Sequence, residues 1–192
     1  MLIKNQFDVA EPLDKVWEFF GDVPQVAACL PGAVLTDDLG DETYAGTVGV
    51  RMGPVKLQFA GRAKILERDD AAKRMVIDAD GADQKGRGQA SMTITAQLAS
   101  AGSGTRVNLD QDLQLSGAAA QYGRGMIQDV TTVLMGQFAG NMQQRIGALE
   151  RGESLDGRAA SASGFSIGLQ AARLALMRVF RRFFLPYQPA RS

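Results

Sequence analysis

The spacing of apolar and polar positions changes period along the chain. Leu2–Val9 reads as a short strand. Pro12 then stands where the first turn of a helix tolerates a residue without an N–H, because that donor has no partner there. Leu13, Val16, Trp17 and Phe20 follow at helical spacing, which predicts an amphipathic helix of about nine residues with Lys15 and Glu18 outside. Asp22 is placed to cap a second short helix with Pro24 early in it, ending before Leu30-Pro31-Gly32. From Ala33 to Gly117 the period is two. Tyr44, Val48, Val50 and Met52 share one face; so do Val55, Leu57, Phe59, Ala63 and Ile65, and later strands repeat the pattern through Ile77, Met92, Ile94, Leu109 and Leu113. Breaks at Gly53-Pro54, Asp69-Asp70, Gly81 to Gly88 and Gly102 to Gly104 mark turns. Strands with one wet face make an antiparallel sheet.

From Ala118 to Glu150 the period returns to 3.6, with Tyr122, Met126, Val130, Val133, Leu134, Phe138, Met142, Ile146 and Leu149 in one stripe. A curved sheet with one dry face and one long helix predicts an α+β helix-grip fold, the sheet wrapped around the C-terminal helix. The inferred inner face is rich in small residues, Gly46, Gly61, Ala63, Ala79, Gly81, Ala90 and Ala96, and the helix adds Gly123, Gly125, Gly136 and Gly140. Glycine inside a helix costs up to about 1 kcal/mol relative to alanine, so these positions call for a packing or functional reason. One reading is a cavity for a flat apolar guest, walled by Met52, Leu57, Phe59, Met92, Ile94, Tyr122, Met126, Val130 and Phe138; the other is close approach of helix and sheet around a solid core. Gln111 falls in an inward slot between Leu109 and Leu113, and Tyr122 brings a hydroxyl to the stripe. A buried amide or phenol needs a partner, supplied by a guest, the backbone or water.

Other chemistry is sparse. The 192 residues contain no histidine, which removes Ser-His-Asp and Cys-His devices and imidazole metal ligands, and the single Cys29 excludes an internal disulfide or a cysteine metal cluster. Cys29 is expected to be a small buried apolar residue. Asp78, Asp80 and Asp83 do not match a calcium loop and read as a solvated face. Gly123-Arg124-Gly125 lies inside a helix and is no phosphate loop.

Charge divides the chain. Residues 1–150 carry 14 basic and 19 acidic side chains, while 164–192 carry five arginines and no acid. Residues 151–163 are small and polar and read as a flexible linker. In the tail, Phe165, Leu169, Leu176, Val179, Phe180, Phe183 and Phe184 gather on one side of a helical wheel, with Arg173, Arg178, Arg181 and Arg182 on the other. Four arginines argue against a spanning helix, at about 2.5–3.5 kcal/mol each at mid-bilayer. A basic amphipathic helix lies in the interface of an anionic membrane instead; a groove on a protein is the alternative. No signal peptide is visible at the N-terminus, so the body is expected on the cytoplasmic side. The near-neutral total gives no sign of a nucleic-acid partner.

Three segments carry a family resemblance: Cys29-Leu30-Pro31-Gly32-Ala33; Gly49-Val50-Arg51-Met52-Gly53-Pro54-Val55 with Gly61 downstream; and Ala120-Gln121-Tyr122-Gly123-Arg124-Gly125-Met126-Ile127, continuing through Asp129-Val130 to Gln137-Phe138-Ala139 and Asn141. They resemble the CoxG family, the G-subunit family of carbon monoxide dehydrogenase, within the SRPBCC (START-like) superfamily, whose members enclose hydrophobic ligands between sheet and helix. The resemblance implies a non-catalytic accessory protein for a molybdenum-containing dehydrogenase of the carbon monoxide dehydrogenase type, carrying a respiratory quinone, menaquinone or ubiquinone, from the membrane. Gln111 and Tyr122 are then the candidate contacts to the ring carbonyls. A small helix-grip cyclase or hydrolase, and a lipid-binding or assembly module without a redox link, are the alternatives.

Overall fold

The computed structural model describes residues 1–52 and 55–152, without the side chain of Met52. The expected linker beyond residue 152 and the whole tail, from Phe165 to Phe184, lie outside the described residues, as does the wall position expected of the Met52 side chain.

The chain runs β1 (Leu2–Val9), α1 (Leu13–Gly21), α2 (Val23–Cys29), β2 (Ala33–Gly40), β3 (Thr43–Met52), β4 (Val55–Asp69), β5 (Arg74–Asp83), β6 (Gln89–Ala101), β7 (Gly104–Leu115), a 3-10 turn (Gly117–Gln121) and α3 (Arg124–Glu150). The seven strands form one antiparallel sheet in the order β1-β7-β6-β5-β4-β3-β2. Strands β2 to β7 follow one another as a meander, and β1 joins the far edge beside β7. The link from β1 to β2 therefore crosses from one sheet edge to the other, and α1 and α2 make that crossing. Helix α1 buries Val16, Trp17, Phe19 and Phe20. Trp17 donates its indole N–H to Asp70 at 2.7 Å, with Arg68 and Lys73 over its ring. Asp22 caps α2 by accepting from the Gln25 N–H at 3.2 Å.

The register places the expected faces inward. Gly46, Gly61, Gly81 and Ala90 lie in one row across β3 to β6, and Tyr44, Ala63, Ala79 and Met92 in the next. These rows let the sheet bend. A Cβ built on Gly61 would overlap the Asp80 carbonyl and stand 2.5 Å from the Gly81 Cα, and one on Gly46 would stand 2.8 Å from the Val34 carbonyl oxygen.

Helix α3 departs from the expectation at its start. Residues 117–121 form the 3-10 turn, Tyr122 caps that turn, and the α-helix begins at Arg124. The buried stripe then runs through Ile127, Phe138, Met142 and Ile146, while Met126, Val133 and Leu149 are exposed. The helical glycines carve no space: Gly123, Gly125, Gly136 and Gly140 have nothing within 4 Å of an added Cβ.

Asp83 also corrects the sequence reading. Strand β5 continues through Gly81, so parity turns Asp83 inward, and its side chain is buried. It accepts from Arg87 Nε at 2.8 Å and Nη2 at 2.9 Å, and from the backbone N–H of Gln58 at 3.0 Å. These bonds, the Arg87 pair foremost and then the Gln58 N–H, hold its carboxyl well below the usual carboxylate range against the opposing effect of burial. With the folded-state pKa below the unfolded value of about 3.9, the stabilisation is complete above the unfolded value and is lost progressively as pH falls from there toward the folded-state value. Asp83→Asn is expected to lower the melting temperature at pH 7, the difference from wild type narrowing below about pH 4; thermal melts from pH 7 to 3 check this.

Candidate functional site

Among the described residues the apolar interior falls into two clusters. One gathers α1, Cys29, Phe138, Met142 and Ile146 against Val9, Ile65, Met75, Ala96, Leu98, Val107 and Leu109. The other, at the opposite end of the sheet, joins Ile3, Leu57, Ala119 and Ile127, with Phe59, Tyr122 and Val130 packed against it. A domain of this size usually has one contiguous core. Between the clusters, the inward Tyr44, Gly46, Gly61, Ala63, Ala79, Gly81, Ala90 and Met92 are only partly buried. The inner face is thus dry at both ends and open to solvent in the middle.

A cleft of about 400 Å³ opens between the sheet and α3, lined by Pro31, Gly32, Gly49, Val50, Arg51, Asp129, Val130, Val133 and Leu134. That volume is in the range of small-molecule sites. Its walls come from all three segments that carried the resemblance. Gly32 has φ +78°, and a Cβ there would overlap the Gly49 carbonyl, so the turn before β2 lies directly on β3. The Gly49 N–H donates to the Gly32 carbonyl at 2.9 Å. The opposite wall is set by Asn141, whose amide donates to the Cys29 carbonyl at 2.9 Å and ties α3 to α2. Cys29 itself is fully buried, and burial pushes its thiol up to about 11 against the opposing Arg145 charge. It is a packing residue, as the sequence suggested. Apolar surface dominates the cleft; Arg51 and Asp129 supply its charge.

The sequence-derived wall residues divide. Val130 lines the cleft. Leu57 and Phe138 are buried in opposite clusters, Phe138 edge-on to Phe7 with ring centroids 5.9 Å apart. Phe59 and Tyr122 flank one cluster and Ile94 the other, while Met92 stands in the open zone between. Met126 does not face the interior at all: it is 44% exposed, because α3 begins later than its hydrophobic stripe suggests and turns Ile127 inward in its place. Gln111 is buried, and its amide donates to Asn5 Oδ1 at 2.9 Å. Asn5 was missed. The alternation of Ile3, Phe7 and Val9 was the signal that would have placed it inward beside Gln111. The two amides form a polar pair on the concave face, which also carries the buried Asp83.

Among the described residues there is no group of three or more His, Cys, Asp or Glu able to hold a metal ion, and no helix long and apolar enough to cross a membrane.

A long helix laid across a bent seven-stranded antiparallel sheet, with a cleft between them, defines a helix-grip domain. The chain belongs to the CoxG family, the G-subunit family of carbon monoxide dehydrogenase, whose model matches residues 6–147. No curated protein matches it. Solved structures share the fold at low identity. A conserved protein from Geobacillus kaustophilus is 16% identical with a TM-score of 0.69, covering 77% of this chain and 95% of its own. TTHA0849 from Thermus thermophilus is 17% identical with a TM-score of 0.55, covering 78% and 99%. The Zhui aromatase/cyclase from Streptomyces sp. R1128 is 14% identical with a TM-score of 0.52, covering 77% and 94%.

Proposed function

We propose that this chain is an accessory protein of a molybdenum-containing carbon monoxide dehydrogenase, and that it carries a respiratory quinone between the membrane and that enzyme. Family membership supports the accessory role. The observation that carries the quinone reading is the placement of the cleft: the three family segments meet there, beside an inner face whose middle is floored by glycine and alanine. A quinone ring is flat and apolar with two carbonyl oxygens. The small-residue rows leave room for the ring, and Val50, Val130 and Leu134 offer apolar walls. Amide and hydroxyl donors to the carbonyls are Gln111, which keeps a second N–H beyond the one given to Asn5, and Tyr122. The isoprenoid chain leaves through the cleft. The basic amphipathic segment 165–185 holds the protein at the anionic inner leaflet, and the linker gives the domain its reach. This role asks no catalytic step of the chain.

The test is mass spectrometry of lipids extracted from full-length protein purified out of native membranes. Menaquinone or ubiquinone in near-stoichiometric amount is the expected result. A phospholipid instead would replace the shuttle with the lipid-binding alternative, and an extract holding neither would remove the ligand-carrying role.

A further inference from the structure

The two ends of the domain differ in charge. The turns at Asp41-Glu42 and Asp69-Asp70 and the start of α1 are at one end. There Asp14, Glu67 and Asp70 pair with Lys73, Arg74 and Arg68, and Asp37, Asp38, Asp41, Glu42 and Asp69 have no ion pair among the described residues. At the other end lie the paired ends of β3 and β4, the 84–88 loop, the 3-10 turn and the start of α3. Arg51, Lys56, Lys85 and Arg124 stand there, all exposed and all without an ion pair among the described residues. Backbone contacts link the segments that carry them. Arg51 and Lys56 are direct cross-strand partners, Arg87 Nη2 donates to the Lys56 carbonyl at 2.7 Å, and the Gln84 N–H donates to the Gln58 carbonyl, which seats Lys85 beside β4. The Ala118 N–H donates to the Arg87 carbonyl, which brings in the segment leading to Arg124. The acids nearby are Asp83, paired with Arg87; Asp112, paired with the N-terminal amine; and Asp129 in the cleft.

Two of these placements work against the fold. Like charges directly opposite on neighbouring strands repel, as Arg51 and Lys56 do. A cation in the first turn of a helix, as Arg124 is in α3, faces the positive end of the helix dipole. Local stability accounts for neither, whereas an external anionic surface accounts for both. Two apolar side chains share this end, Leu2 at 59% exposure and Met126 at 44%. Unpaired cations and exposed apolar groups at the same end match an anionic bilayer, with headgroup phosphates outside and acyl chains within.

We propose that the basic end of the domain docks directly on an anionic membrane surface, through Arg51, Lys56, Lys85 and Arg124 with Met126 at the lipid boundary. Because Arg51 also lines the cleft, docking turns the cleft opening toward the bilayer, and a lipid-soluble guest enters without crossing water. The overall negative charge of residues 1–150 orients the docking, since the acidic end is repelled from the same surface. The proposal deepens the quinone reading by naming the surface the cleft meets.

The test uses the full chain with one fluorophore at Gln84→Cys or at Ser103→Cys; the native Cys29 is buried and unreactive. Energy transfer to a headgroup-labelled lipid is compared on vesicles of 30% phosphatidylglycerol in phosphatidylcholine and on pure phosphatidylcholine, neither containing quinone. The expected result is strong transfer from position 84 and weak transfer from 103 on the anionic vesicles, with the difference lost on neutral ones. Arg51→Gln, Lys56→Gln, Lys85→Gln and Arg124→Gln together are expected to abolish the difference, each charge weakening docking by about fivefold, without lowering the melting temperature. Equal transfer from both positions, or a bias that survives the four substitutions, overturns the proposal. Loss of dehydrogenase co-purification in the four-fold variant with unchanged vesicle orientation also overturns it, assigning the surface to an acidic protein. Because the vesicles hold no quinone, orientation is read whether or not the membrane extract contains one.

Discussion

Gly61→Val is expected to be the most damaging single substitution in the domain outside the large core side chains. Gly61 pairs with Gly46 on one side and Gly81 on the other, inside the row of small residues that crosses β3 to β6. Any Cβ there overlaps the Asp80 carbonyl and reaches the Gly81 Cα at 2.5 Å, and both are backbone atoms inside a ladder. Relief requires the two strands to part, which strains the hydrogen bonds that close the hairpin. Forcing extra atoms into packed structure costs about 1–3 kcal/mol, and backbone overlap belongs at the upper end. For a domain of this size about 3 kcal/mol lowers the melting temperature by roughly 10 °C. Gly136→Ala is the matched control. Gly136 lies in α3 with open space around it, so an added methyl meets nothing and the helix gains about 0.5–1 kcal/mol. Thermal melts of the two variants side by side check both. A Gly61→Val protein melting with wild type shows that the sheet is not bent there.

The contrast between these glycines also shows which parts of the molecule could be read from residue order. Period two is interrupted by register shifts at Leu35/Asp37 and Asp38/Gly40 in the edge strand β2 and at Ile65/Glu67 in β4. It survives through most of β3 to β7 because one face of each strand is the drier, and a slip of one residue would expose that whole set. The inward rows of Gly46, Gly61, Ala63, Ala79 and Gly81 were legible for the same reason. Helix α3 was harder. Its glycines carry the same letter as those of the sheet, yet Gly136 and Gly140 face open space while Gly61 lies against backbone; only the three-dimensional neighbours distinguish them. The apolar spacing places the start of α3 too early, because Ala118–Gln121 continues that spacing in a tighter 3-10 turn, which shifts the phase and leaves Met126 outside and Ile127 inside. Asp83 reads as surface because acids usually are, although the alternation through Ala79 and Gly81 turns it inward. The cleft depended on contacts between distant segments. Gly32 against Gly49, and Asn141 against Cys29, are pairings that no local period specifies.

The cleft can be closed from the edge of one apolar cluster without removing any of its buried side chains, and the second large effect is expected there. Val130 sits on α3 with one side toward Ile127, Leu57 and their neighbours and the other toward the opening. In Val130→Trp the indole extends into the cleft of about 400 Å³ and occupies the space between α3 and Val50. A guest that needs that space must displace a large apolar side chain from apolar contacts, so affinity is expected to fall at least tenfold, about 1.4 kcal/mol. The melting temperature is expected to stay within a few degrees of wild type, because the new side chain fills open volume. Val133→Trp tests position rather than size: Val133 is 60% exposed at the rim, and an indole there has solvent to move into, so binding should change little. Equilibrium dialysis with ubiquinone-1 and menaquinone-1 gives the affinities, with the full-length protein in each case. Wild-type binding by Val130→Trp would place the guest elsewhere, and equal losses from both substitutions would point to a change in α3 itself. A selective loss at position 130 ties the bound ring to the wall where the three family segments converge.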